Sequence, residues 1–398
     1  MQKNYNGIKR LLGSLVITFA TLSVLTSAAI KEGVSVTTKK INDSFYVIHG
    51  GNGLGANTGV LIQDEGVLLV DSMNIHEESH QQLYSAIRKI TDKPIKYVFN
   101  THSHRDHAGG NAFFAKQGAI IITQENTHYL EKPSYSTLNF RDKLTLKFGD
   151  ETVEAFHVLS HTTNDAVIRF KNNNAVFTGD NHATTWGPAT SYLGINGMLK
   201  VLNLSINLSD ENTYVVPGHG DVVNRAHLKQ FKADSLAWHD YVIQQDKNEV
   251  TLEDMSKDEK VKSLFEPFNG EKRENFMTDD MRLRRIKWHL LDSKVKESDV
   301  GLTAKEIEAF TGNYPLNNGE VAEVYAQKGR IYLRIKNKYI TELLPRKNGK
   351  FEFRGWENSE HVVFDYSNKA AQRIAAPKIN IVMKDEIFSG SRAGIIGR

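Results

Sequence analysis

At 398 residues, with 40% hydrophobic and 24% charged side chains, the chain can bury a large core and form two or three domains, which excludes an intrinsically disordered protein. Its formal net charge of +3 matches the three basic residues of the first 29, Lys3, Lys9 and Arg10, which have no acidic counterpart there. The remainder is neutral, so nothing calls for nucleic acid or an anionic membrane as partner. The absence of cysteine excludes disulfides and thiol-linked lipid, leaving the core and any bound metal to supply stability.

Residues 1–29 read as a secretory signal peptide: basic residues, an apolar run from Leu11 to Leu25, then the small residues Ser27, Ala28 and Ala29, where cleavage is expected. The run is shorter than the roughly 20 residues of a spanning helix, so no stable membrane anchor is expected after cleavage, and the location is periplasmic or extracellular. Residues 30–235 show an α/β pattern. Ser44 to His49, Gly59 to Gln63 and Gly66 to Asp71 read as successive strands, followed by helix His76 to Thr91, strand Lys96 to Asn100, helix Ala108 to Gln117 and strand Ile120 to Thr123. From Asn224 the sequence turns charged and helix-favouring, and residues 236–300 are expected to be a connecting region, with two or three helices in the whole stretch. Within it, Arg282, Arg284, Arg285 and Lys287 read as a solvated helix face rather than an anion-binding surface.

Residues 301–398 begin with a capping-box pattern, Thr303-Ala-Lys-Glu306. Short alternating runs follow at Val321 to Ala326, Arg330 to Ile335, Phe351 to Arg354 and Val362 to Asp365. This spacing predicts a small antiparallel β domain of sandwich or barrel type.

The densest chemistry follows the strand Lys96 to Asn100, in the segment His102-Ser-His104-Arg-Asp106-His107 before Gly109-Gly110. A period of two sends His102 and His104 to one side, while Asp106 and His107 sit where the backbone turns into a helix and converge on a neighbouring point. Imidazoles and a carboxylate together suit Zn2+ or a similar first-row ion. His161, Asp180 and His219 each follow a further strand-like run. Any one alone would read as a buried or capping residue; the ordered series points to a metal centre.

The motifs His-x-His-x-Asp-His, Ser160-His161-Thr162, Phe-Thr-Gly-Asp180 and Pro217-Gly-His219-Gly resemble the signature series of the metallo-β-lactamase superfamily, over Ser35 to Val223. That resemblance implies an αββα sandwich followed by connecting helices and the small antiparallel β domain. It implies His102, His104 and His161 on one metal, Asp106, His107 and His219 on a second, Asp180 bridging them, and Asp71 supporting the centre from behind. Two Zn2+ ions are expected per chain, with Fe or Mn as alternatives. A chain without cysteine cannot be of the β-lactamase subclass that uses cysteine as a ligand, and Asp180 makes the site resemble that of glyoxalase II. The resemblance thus implies an exported hydrolase in which a metal-activated water, oriented by the catalytic residue Asp106, attacks an ester, thioester, lactone or lactam carbonyl of a small-molecule substrate. The alternatives are a mono-iron persulfide-type dioxygenase, a true β-lactamase with atypical ligands, and a non-catalytic binding protein. His182, Trp186 and Tyr192 lie between Asp180 and His219 and are candidates for a substrate pocket. Phe310-Thr-Gly-Asn-Tyr314 resembles the start of the lipocalin-like modules appended to several secreted hydrolases of this type.

Overall fold

The structure, a computed structural model, describes residues 35–51, 55–130, 135–268, 278–295, 297–354, 360–365, 378–384 and 386–393. The expected leader, residues 1–29, lies outside them. Among the described residues no helix is long and apolar enough to cross a membrane.

Strands from residue 37 onward, apolar from β2, build a first sheet in sequence order: β1 (Thr37–Lys40), β2 (Phe45–His49), β3 (Thr58–Gln63), β4 (Gly66–Val70), β5 (Ile95–Phe99), β6 (Ile120–Gln124) and β7 (Leu138–Phe140). β1 to β4 pair antiparallel and β4 to β7 parallel. Parallel neighbours require crossovers. These are made by α1 (Glu77–Arg88), then α2 (Arg105–Ala108) with α3 (Asn111–Lys116), then α4 (Glu125–Leu130). A second sheet has the order β12-β11-β10-β9-β8, from β8 (Lys143–Phe148), β9 (Glu151–His157), β10 (Ala166–Phe170), β11 (Ala175–Phe177) and β12 (Tyr214–Val216), with α5 (Gly194–Asn207) ahead of β12.

Leu68 and Val70 of β4 face the second sheet and share a core with Ile168, Phe170 and Phe177. Val67 and Leu69 point the other way and pack with Leu83 and Ile87 of α1 and Phe114 of α3. Burial on both faces explains why β4 reads GVLLV, a continuous apolar run. Beyond the second sheet, Val167 and Val176 pack on Val201 of α5. The layers are therefore helix, sheet, sheet, helix. The sheets approach closely: a Cβ at Gly59 would sit 2.4 Å from Phe177 Cζ.

Among the described residues the connecting stretch contains α6 (Arg225–Lys247), α7 (Leu252–Lys257), α8 (Glu259–Phe265) and α9 (Asp279–Ser293), four helices where two or three are expected. The extra break is at Asp258. It takes an extended conformation (φ −61, ψ 127) and its carboxylate accepts a hydrogen bond from Val261 N at 2.8 Å, ending α7 and capping α8. α6 is continuous through residue 235. The expected solvated basic face on α9 holds only in part. Arg284 and Lys287 are exposed, but Arg282 and Arg285 are 7% and 8% exposed because α9 packs its basic stripe inward, alongside the Ile286 and Leu290 that join the α5–α8 core.

After α10 (Ala304–Phe310), whose Thr303–Glu306 capping box is formed, the described residues form eight antiparallel strands paired in sequence order: β13 (Gly312–Pro315), β14 (Val321–Gln327), β15 (Arg330–Ile335), β16 (Tyr339–Pro345), β17 (Lys350–Phe353), β18 (His361–Asp365), β19 (Lys378–Met383) and β20 (Glu386–Ser391). The Leu316–Gly390 bridge, Asn317 N donating to Ser389 O at 2.9 Å and Ala393 N to Asn313 O at 2.7 Å join the last strand to the first. The sheet thus rolls into a barrel filled by side chains such as Leu333, Leu343, Phe351, Phe364 and Ile381. Tyr332 and Arg334 of β15 point outward yet are buried. Tyr332 joins Leu159 and Leu193 of the sandwich. The Arg334 guanidinium lies 3.6 Å over the Tyr129 ring and pairs with Glu323 at 2.7 Å.

Candidate metal centre

The loops after β5, β9, β11 and β12 leave the two sheets at one edge, because β11 runs parallel to β12 and, through the antiparallel β10, in the same sense as β9. There the seven residues expected as ligands come together as two groups sharing Asp180. One is His102, His104, His161 and Asp180; the other is Asp106, His107, Asp180 and His219; within each group the potential ligand atoms lie within 4.8 Å of one another. Asp180 Oδ1 is 3.0 Å from His107 Nε2 and 3.4 Å from His219 Nε2, while Oδ2 is 3.6 Å from His161 Nε2 and 4.0 Å from His102 Nε2. His104 Nδ1 is 3.1 Å from His161 Nε2, and Asp106 Oδ2 is 3.1 Å from His219 Nε2.

These spacings fit a metal. Two ligands on one tetrahedral ion at 2.0–2.1 Å lie roughly 3.3 Å apart. His102 Nε2 supports the same conclusion: it is fully enclosed and has no hydrogen-bond partner, a state that costs free energy unless something accepts its lone pair. Burial, then the neighbouring His107, His104 and His161, hold the His102 imidazole neutral with its pKa well below 6.5. Burial and His104 lower that of His161 to about 3. Neutral imidazoles are the form a metal needs.

His107 is the exception. Burial opposes its charge, but Asp180, Asp71 and Asp106 outweigh burial and raise its pKa well above 6.5. In the metal-free chain this imidazole carries a proton that metal must displace. Because only the metal-free state holds that proton, metal affinity should rise with pH below the raised pKa of His107, with protons released on loading. Calorimetric titration in buffers of differing ionisation enthalpy measures this; uptake without proton release contradicts it.

The residues behind the centre fix its geometry. Asp71 Oδ2 accepts from His107 Nδ1 at 2.8 Å and from Thr101 Oγ1 at 2.7 Å, and Oδ1 accepts from Thr101 N at 2.7 Å. His161 Nδ1 is 2.8 Å from Ser191 Oγ. Gly218 lets the His219 turn pass Asp180, since a Cβ there would lie 2.3 Å from Asp180 Oδ1. Sequence reasoning missed two clamps. Asn57 Nδ2 donates to Pro217 O at 2.9 Å and Gly220 O at 2.8 Å, bracketing His219. Asn164 accepts from Ser103 N at 2.9 Å and donates to Ser103 Oγ at 2.9 Å, tying the His161 loop to the His102–His104 segment. Asp165 was missed as well: burial lifts its pKa to about 8, and it accepts from Thr162 N at 2.6 Å. Each is a polar residue in a Gly- or Thr-rich loop, with no periodicity to single it out.

The three pocket candidates separate. The Trp186 ring lies 4.2 Å from that of His219. Tyr192 packs with Leu159, Leu193 and Tyr332, toward the barrel. His182 is fully buried, its ring 4.7 Å from Phe231 and 5.4 Å from His227 of α6, and burial lowers its pKa to about 3.

Residues 51–219 match the profile described as the metallo-beta-lactamase superfamily. Over 219 residues the chain is 28% identical to metallo-beta-lactamase IND-1 of Chryseobacterium indologenes, covering 52% of this chain and 91% of that protein. It is 29% identical over 138 residues to a protein described as "Probable hydroxyacylglutathione hydrolase" of Schizosaccharomyces pombe, covering 33% of this chain and 52% of that one. Among solved structures, a metallo-beta-lactamase from Pontibacter korlensis aligns with 50% of this chain and 98% of its own at 18% identity, with a TM-score of 0.44. With the αββα layers and paired ligand clusters in place, residues 51–219 carry the match to the metallo-β-lactamase superfamily, and the fold of this segment is of that type.

Proposed function

We propose that the protein is an exported hydrolase with a pair of metal ions, Zn2+ in the first instance, that cleaves an ester, thioester, lactone or lactam in a small-molecule substrate. The observation that carries this reading is the sharing of Asp180 between two complete ligand groups, since a structural zinc site is normally single and closed by four ligands. His102, His104 and His161 would hold one ion, Asp106, His107 and His219 the other, and Asp180 both. Bound there, such a pair acts as a Lewis acid toward a carbonyl oxygen and makes water acidic enough to serve as a nucleophile near neutral pH. Asp106 is half-buried, with 35% of its side chain exposed. His107 and His219 overcome its burial and keep its carboxyl ionised well below the usual range. It is therefore an ionised, part-exposed hydrogen-bond acceptor, able to orient the attacking water rather than to take its proton. The relatives named lactamase and hydroxyacylglutathione hydrolase support acyl substrates. The residue 1–29 pattern supports export.

The test is a hydrolysis panel of lactams, lactones, thioesters and phosphodiesters on the full chain, before and after chelation and zinc reloading, alongside His104→Ala. Activity should vanish on chelation, return with zinc, and fall by about 100-fold or more in the variant. Hydrolysis that survives both treatments eliminates the proposed site, and one equivalent of iron with oxygen consumption replaces the hydrolase by a dioxygenase.

A further inference from the structure

Arg285 lies in α9, outside the segment matched to the superfamily. It is only 8% exposed, its Nε is enclosed without an acceptor, and it makes no hydrogen bond or ion pair with any described residue. Arg282, one turn earlier and equally buried, shows what the same helix does for a structural arginine: Nε donates to Ser256 O at 3.1 Å and the guanidinium pairs with Asp279. A buried guanidinium left without an anion is costly, and such a group calls for an explanation in function.

Its location supplies one. The guanidinium carbon is 5.8 Å from the Trp186 ring and 5.5 Å from the Trp288 ring, and Trp186 in turn rests on His219. Further along the same helix, His289 Nδ1 is 3.1 Å from Thr190 Oγ1, two residues from the Tyr192–Leu193 packing and next to the Ser191 that holds His161. α9 is thus joined to the loop that borders the metal centre. The charge of Arg285 is felt there: Asp180 favours its charged form, and Arg285 disfavours protonation of His161, while burial pushes its own pKa down to about 10. Neither carboxylate of the centre satisfies it, because Asp180 and Asp106 are turned onto histidines at 3.0–3.4 Å. Aromatic neighbours attract a guanidinium over their faces and leave its in-plane N–H groups free for a planar, bidentate acceptor.

We propose that Arg285 is a specificity-determining residue that anchors a carboxylate carried by the substrate, making the protein selective for anionic over neutral acyl compounds. The inference rests on the hydrolase reading above for its catalytic consequence but not for binding. Two measurements on the metal-loaded full chain separate the two. In the first, 4-acetoxybenzoate and its neutral methyl ester are compared as substrates for the wild type, Arg285→Met and Arg285→Lys. The ratio of kcat/KM for the anionic over the neutral ester should fall about tenfold or more in Arg285→Met, chiefly through KM, with Arg285→Lys intermediate because it keeps the charge and loses the fork. In the second, binding of benzoate and of benzamide is followed by tryptophan fluorescence. The benzoate Kd should rise about tenfold or more in Arg285→Met, with benzamide little affected. Equal loss on both esters, or an unchanged benzoate Kd, would overturn the proposal, as would a variant that loses thermal stability while keeping its anion preference. If the wild type cleaves neither ester, the hydrolase reading fails for esters and the benzoate comparison decides this inference alone. Should Arg285→Met not fold, Arg285→Lys must still show the weaker benzoate binding.

Discussion

On the proposed two-metal hydrolase reading, Asp180→Asn is expected to reduce bound metal from two ions to one or fewer per chain and to lower kcat/KM by about 1000-fold or more. The substitution conserves size and removes one charge, and that charge is the one the two ligand groups have in common. Oδ1 serves His107 and His219 while Oδ2 serves His161 and His102. An amide has one oxygen, so at best one group keeps its acceptor and the other gains an N–H aimed at an imidazole nitrogen. Elemental analysis of the purified variant, with a circular dichroism spectrum to show that the fold is kept, reads the result. A variant that retains two ions and wild-type turnover would show that Asp180 is a bystander.

Asp71→Asn should act at one remove, lowering metal affinity by about 10- to 100-fold and reducing the protons released on loading. Asp71 sits at φ +65, a left-handed conformation that asparagine also adopts readily, and its backbone N donates to Phe99 O at 2.8 Å. The backbone should therefore tolerate the change. The side chain cannot. If the new amide nitrogen takes the Oδ1 place it opposes the Thr101 N–H; if it takes the Oδ2 place it donates to His107 Nδ1 and drives the ring proton onto Nε2, the nitrogen that faces Asp180. The second outcome disfavours the metal-ready tautomer outright, and the first costs the Thr101 hydrogen bond and leaves His107 Nδ1 with a neutral, weaker acceptor. Competition titration against a chromogenic chelator measures the affinity, and an unchanged value would place Asp71 in turn formation alone.

Part of this was legible in the chain itself. His102, His104, Asp106 and His107 fall in six residues after a strand, so local geometry suffices to aim them at neighbouring points. β15 and most of the first sheet also declare themselves through apolar runs. β16 does not: Tyr339–Pro345 is buried on nearly every residue, with Leu343 facing the barrel interior while Glu342, facing out, pairs with Arg330 and Arg354. Burial on both faces erases the period of two on which strand reading depends.

α9 shows the same limit for charge. The order Arg282, Arg284, Arg285, Lys287 looks like one solvated cluster, and only the packing of α9 against its neighbours sorts it into two exposed residues and two buried ones, one paired and one not. Composition and motif spacing by themselves determined that the chain is folded, belongs to the α/β class in its first half, and carries metal-type donors in a fixed order. Those properties depend on residues close in sequence. The motif resemblance already implied Asp180 between both groups; the tertiary structure alone decided that Asn57 and Asn164 clamp their loops, and that Arg285 reaches the loop beside His219 from a helix more than 60 residues farther along the chain. Each is a contact between segments whose separation no local pattern encodes, made only because two sheets close face to face and bring the loops at one edge together.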